Sequence, residues 1–113
     1  MKKFHWKKAE KDFIENACRY AGQLKKKSKQ PGIRDCHRIC QNSFGDFFSS
    51  MPKFMQTIIR GRLREAFQMH LKGIDSDLKF SKFLQTYVVE WFYAYRDAQK
   101  YLGKLKPIKP LSK

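Results

Sequence analysis

The stretch from Phe80 to Tyr95, FSKFLQTYVVEWFYAY, limits what this chain can fold into more than any other. At helical spacing Phe83, Leu84, Tyr87, Val88, Trp91, Phe92 and Tyr95 leave almost no polar side. A helix that is apolar nearly all round sits in the middle of a bundle, or turns one face to another protein. The core of this stretch, YVVEWFY, would also suit a strand, but its flanks carry the helical period and decide the matter. The rest of the chain must therefore supply helices to surround it.

It supplies three. Over residues 9–24, Ala9, Phe13, Ala17, Tyr20, Ala21 and Leu24 recur every three or four positions, with Ile14 and Cys18 widening the stripe. The segment KKKSKQPG ends that helix in a charged, breaker-containing loop. A second helix begins after Pro31-Gly32, with Ile33, Cys36, Cys40, Phe44 and Phe47 on one side and Arg34, Arg38 and Gln41 on the other; Gly45 weakens its end. Ser50 is the expected cap of a third helix, with Pro52 in its first turn and Gly73 as its stop. Met55, Ile58, Ile59, Leu63, Ala66, Phe67 and His70 make its apolar face, opposite Lys53, Gln56, Arg60 and Arg64. Asp75 or Ser76 caps the fourth helix, carried to about Leu102 before Gly103.

The expected fold is all-α: a compact bundle of four main helices over residues 1–103. An extended, mobile basic tail, KLKPIKPLSK, follows over 104–113, where alternating Lys and Pro prevent packing. With 42% hydrophobic residues, and ten Phe, five Tyr and two Trp, the core is built on aromatic rings. No apolar run is long enough to span a membrane, and the charged start MKKFHWKKAEKDF lacks the apolar segment of a signal peptide. With Cys18, Cys36 and Cys40 an odd set, a cytoplasmic protein with reduced thiols is expected.

Charge narrows the function. Lys and Arg number 25 against 10 Asp and Glu, a net of +15. Residues 30–103 carry 11 basic and 7 acidic side chains, so +11 of that excess lies in residues 1–29 and 104–113. Such an excess makes phosphate polymers the first candidate partner. Within the folded part, Arg34 and Arg38 share a helix face at i, i+4, as do Arg60 and Arg64, with Lys53 and Gln56 extending the second row. Guanidinium groups one turn apart bridge neighbouring phosphates, because each fork donates two hydrogen bonds. Arg62 and the loop lysines Lys25, Lys26, Lys27 and Lys29 complete the candidate nucleic-acid-binding set. Against this stands the bland reading that charged helix faces are simply solvated.

Other chemistries have less behind them. Cys36 and Cys40 have acceptable ligand spacing with His37 beside them, but a second close pair is missing, and both fit the apolar stripe as small hydrophobes. No metal or other cofactor is expected. There is no Gly-rich phosphate loop or persuasive carboxylate or His-centred pair, and His70 continues an apolar face as a satisfied, partly buried histidine, so the chain is not expected to be an enzyme. A helix-turn-helix base reader would need more polar residues than KFMQT offers at the start of the third helix. A membrane-surface helix would need a sharper polar face than the fourth helix has.

The segment YVVEWFYAYRDAQKY resembles the C-terminal signature of the small helical subunit of type III CRISPR–Cas effector complexes. Glu90, Ala94 and Tyr95 fall at the matching spacing, with Arg96 next. PGIRDCHRIC is similar to that family's second-helix segment, through Ile33 and Arg34. The resemblance implies a non-catalytic subunit of an RNA-guided ribonucleoprotein that contacts the guide–target duplex by its backbone. It also implies a stacking surface between neighbours on the aromatic helix, at Tyr87, Trp91 and Tyr95. The expected partners are therefore RNA or DNA backbone and other subunits, with self-association and no membrane. The rivals are a helical protein-binding inhibitor or accessory factor of a mobile element, and a small DNA-binding regulator.

Overall fold

In the computed structural model, residues 4–73 and 77–104 are described; of 77, 78 and 102–104 only the backbone is. Among these residues there is no strand, and the helices are α1 (Trp6–Lys27), α2 (Ile33–Ser49), α3 (Lys53–Gly73), α4 (Asp77–Leu84) and α5 (Glu90–Lys104). A five-residue π turn, Gln85–Val89, joins α4 to α5 without a break in the helical backbone. The described residues thus form four helical rods, as expected, and the contacts Tyr20–Asp35, His37–Arg60 and Arg62–Tyr87 run them up, down, up and down.

Each rod forms because its apolar residues share one side. In α1 the buried stripe is Ala9, Phe13, Ala17, Ala21 and Leu24. Three alanines let neighbouring rods approach closely around Phe13. The helix stops where Ser28 turns left-handed (φ 53°) and its N–H reaches back to the carbonyls of Leu24 and Lys25. Lys25, Lys26 and Lys27 in that last turn lie at the negative end of the helix dipole.

In α2 the buried residues are Cys36, Ile39, Cys40, Ser43, Phe44 and Phe48. Ile33, expected on that side, is 42% exposed. The stripe begins one turn later, at Cys36, and Pro31 in the preceding loop is buried. Gly45 does more than weaken the end. At φ 53° and ψ −131° it kinks the helix in a conformation closed to residues with a Cβ, and the chain then resumes a helix to Ser49.

The expected Ser50 cap is corrected: Ser50 closes α2 instead of opening α3. Its hydroxyl and its N–H both donate to the Asp46 carbonyl, at 2.8 and 2.9 Å. The α3 backbone starts from the Pro52 carbonyl, which accepts the N–H groups of Met55 and Gln56, both at 3.0 Å. Gln56, expected on the polar side, is buried because its amide donates to the carbonyls of Ser49 (3.1 Å) and Met51 (3.0 Å), tying down the α2–α3 link. That rotates the inward stripe of α3 to Gln56, Ile59, Leu63, Ala66, Phe67 and His70, and leaves Ile58 38% exposed. Gly73 ends α3 at φ 144°, a conformation that favours glycine. The expected caps Asp75 and Ser76 and the tail beyond residue 104 lie outside the described residues; α5 continues through Gly103 to Lys104.

The fourth rod is not apolar all round in use: one side is buried, while Lys79, Lys82, Gln85, Thr86 and Glu90 on the other are exposed. Phe80, Leu84, Val88, Val89 and Phe92 are all buried. The adjacent pair Val88–Val89 marks the extra residue that the π turn inserts. The turn advances the inward register, so that Phe92 stacks on Phe44 with centroids 3.8 Å apart and planes 10° apart. Phe13 packs against both rings, at 5.8 and 5.9 Å. His70 is fully buried rather than partly so, and stacks on Phe80 at 4.1 Å.

Candidate nucleic-acid interface

Alternation of direction gathers the basic side chains. The α1–α2 loop, the first turns of α2 and α3 from Arg60 onward come together, since Tyr20 reaches Gly32 and Asp35, and Arg60 reaches His37. One side-chain contact joins α2 to α3 here: Arg60 Nη1 lies 3.0 Å from His37 Nδ1. Since a guanidinium can only donate, Nδ1 accepts and His37 is neutral, with its proton on Nε2. Burial and the neighbouring Arg60 charge hold the His37 pKa below its ordinary value. One turn from that contact toward the basic end stand Arg34 on α2 and Arg64 on α3. The Arg64 charge reaches Cys36, where it opposes the burial that pushes the thiol up to about 12. The Cys40 thiol is pushed up still more by burial, so both cysteines are neutral core residues at neutral pH.

Arg34, Arg38 and Arg64 are exposed and Arg60 is half-buried, with Nη2 bound to Thr57 at 3.1 Å. Lys25, Lys26, Lys27 and Lys29 are exposed on the adjoining end of α1 and its loop. From Asn16 through Cys40 the one carboxylate is Asp35, and it is already engaged. Its oxygens accept from the Tyr20 hydroxyl (2.8 Å) and from Arg38 (3.0 Å). Lys53 stands apart, at the opposite end, because α3 begins there.

Arg62 also leaves the row. Two residues from Arg60 is more than half a turn, so its side chain points the other way, toward the fourth rod. Its Nε donates to the Tyr87 carbonyl at 2.6 Å. Its guanidinium lies 3.9 Å from the centre of the Tyr87 ring and 5.0 Å from that of Trp91. The Tyr87 hydroxyl donates to Glu65 at 2.6 Å, a bond that raises its pKa. A residue expected at phosphate and two expected at a partner are therefore in contact with each other. Tyr95, the third aromatic of that set, packs edge-on against Phe47 at 5.8 Å.

Between α1 and α2 at the basic end lies a cleft of about 610 Å³. Arg19, Lys27, Lys29 and Arg38 line it, with the amides of Asn16, Gln23, Gln30 and Asn42. Leu24 and Ile39 give it an apolar portion. Tyr20 is fastened there: its hydroxyl accepts the Gly32 N–H at 3.1 Å, and its ring meets Phe67 edge-on at 5.0 Å. Of this group, charge and spacing in the sequence point to Lys27, Lys29 and Arg38. The signal for the rest is the spacing Arg19, Gln23, Lys27, a polar row at i, i+4, i+8 on α1, facing Asp35, Arg38 and Asn42 on α2.

Among the described residues, no cluster of three or more His, Cys, Asp or Glu is placed to hold a metal ion. No helix there is long and apolar enough to cross a membrane. Compared with known protein families, curated proteins and solved structures, the chain matches none.

Proposed function

We propose that this chain is a non-catalytic nucleic-acid-binding protein that grips the sugar–phosphate backbone, as a small subunit of a ribonucleoprotein. The observation that carries the reading is the clustering of Lys25, Lys26, Lys27, Lys29, Arg34, Arg38, Arg60 and Arg64 at one end of the bundle. Its one nearby α2 carboxylate, Asp35, is occupied by Tyr20 and Arg38. Forked donors at one-turn spacing suit a phosphate chain, whose contacts need charge and reach but no base code. The resemblance to the small subunit of type III CRISPR–Cas complexes fits this reading. In such an assembly base pairing supplies specificity and the protein supplies charge and reach.

The test is fluorescence anisotropy with labelled RNA over a range of salt. Binding is expected to weaken steeply with salt and to depend little on sequence. Replacing Arg60 and Arg64 together by alanine is expected to flatten the log–log salt slope by about two phosphate contacts, or about 1.4 to 1.8. An unchanged slope would remove these residues from the interface.

A further inference from the structure

The backbone reading leaves the cleft between α1 and α2 without a task. A solvated basic face needs no concavity. This one is about 610 Å³, within the range of small-molecule sites, and its lining is of three kinds in three places. Lys27 and Lys29 come from the end of α1 and its loop, and Arg38 from α2. Leu24 and Ile39, both nearly buried, provide an apolar floor beside Tyr20. The amides of Gln23 and Asn42 stand on exposed positions of the two walls. Cations, an apolar floor and amides that can both donate and accept are what a nucleotide presents in reverse: phosphate, ring face and base edge.

The cleft is also preorganised. Tyr20 is held by three contacts, to Gly32, Asp35 and Phe67. Asp35, which would otherwise repel a phosphate, has one oxygen on Tyr20 and the other on Arg38. Arg38 keeps donors beyond the one given to Asp35.

We propose that the α1–α2 cleft takes one unstacked nucleotide of a single strand, its phosphate at Lys27, Lys29 and Arg38 and its base over Leu24 and Ile39. This rests on the backbone reading and sharpens it: the bound strand has a single-stranded position. A paired base cannot enter such a cleft without leaving its stack, whereas a base in a single strand enters at little cost.

The test compares single-stranded RNA, duplex RNA and an abasic single strand of equal phosphate number, each against wild type and Gln23→Trp/Asn42→Trp. Both substituted positions are exposed, so the fold tolerates the indoles while the cleft fills. Wild type is expected to prefer the single strand over the abasic strand by about tenfold, the scale of about 55 Å² of apolar surface removed from water between base and floor. The double variant is expected to lose that preference and to keep the salt-dependent duplex binding. Equal binding of the base-bearing and abasic strands, or a preference that survives the variant, would overturn the cleft and leave the backbone reading standing. A second measurement separates the two claims. Adenosine and uridine 5′-monophosphates, with inorganic phosphate as control, are titrated against the ¹⁵N-labelled protein by NMR. Shifts at Gln23, Gly32 and Asn42 from the nucleotides beyond those from phosphate support the cleft. If no oligonucleotide binds, those same shifts leave the cleft standing and overturn the backbone reading. Identical shifts from phosphate alone make it an anion site and overturn the base pocket.

Discussion

The two ends of this bundle use the same residue types for opposite ends. At one, where α1 starts, α2 has passed its kink and α5 runs by, rings are packed on rings. Trp6 meets Phe47 and Tyr93 at 4.6 and 5.3 Å, and Phe44 stacks on Phe92. An arginine there is absorbed: Arg96 lies 5.0 Å from the Trp6 ring centre and 4.8 Å from that of Tyr93. The Tyr93 hydroxyl is fastened to Glu10 at 2.8 Å, and burial beside that carboxylate pushes its pKa up to about 12. At the other end Arg34, Arg38 and Arg64 face solvent, while the rings there, Tyr20, Phe67 and Phe80, pack on one another beneath them. An arginine's task is thus set by its neighbours. Over an aromatic face it is a piece of packing, and beside other cations it is a place for an anion.

If the aromatic end carries stability and the basic end carries binding, each can be damaged separately. The largest effect is expected from Phe92→Ala. That ring is fully buried and touches Phe13, Phe44, Phe47 and Phe48. Removing it is expected to cost about 3–5 kcal/mol in urea or thermal unfolding. The salt slope of the remaining folded protein should not change. A loss under about 1 kcal/mol would mean that the rings re-form around the gap and that this end is not the keystone.

The sequence announced this division unevenly. Helix periodicity located all four rods, because apolar spacing at three and four residues depends on burial alone. What it could not show was where a helix departs from ideal geometry. The π turn at Gln85–Val89 changes which residues of YVVEWFY face inward, and no local pattern records it, since every residue there but Glu90 is apolar enough for either register. The Ser50 reversal has a similar origin. A serine suits either helix end, and only the Gln56 amide, reaching back to Ser49 and Met51, makes the link close as it does. On the candidate site, rows at i, i+4 paired Arg60 with Arg64 correctly on one helix. Which row faces α2 and which faces the fourth rod is a tertiary fact. Charge alone therefore groups Arg62 with the phosphate set, whereas the structure lays it over Tyr87 and Trp91.

Arg62 therefore offers the sharper test of the comparison, since it sits near the basic rows but is used as the aromatic end uses Arg96. Arg62→Ala is expected to lower stability by about 1–2 kcal/mol, through the lost ring contacts and its bond to the Tyr87 carbonyl. Its salt slope for RNA should match wild type. Arg64→Ala should do the reverse, changing stability by less than about 0.5 kcal/mol and removing about one phosphate contact. If Arg62→Ala flattens the slope as much as Arg64→Ala, its guanidinium leaves the rings to meet the ligand, and the boundary between the two uses is dynamic.

The smallest effect should come from His37, where the basic face and the core meet. Its pKa in the folded protein lies below the ordinary 6.5, so as pH falls the unfolded chain takes up a proton before the folded one does. Stability present above pH 6.5 is then lost as pH falls toward the lower, folded value, where protonation also ends the Nδ1 lone pair that Arg60 uses. His37→Gln keeps an acceptor for Arg60 and cannot be protonated, so its urea midpoint should fall less between pH 7.5 and 5 than that of wild type. Over the same interval a protonated His37 adds a cation beside Arg60, and wild-type RNA binding should gain a steeper salt slope that the variant lacks. Identical pH profiles for the two proteins would place the ring outside both functions. A stability difference without a slope difference would assign His37 to the core and set the edge of the interface at Arg60.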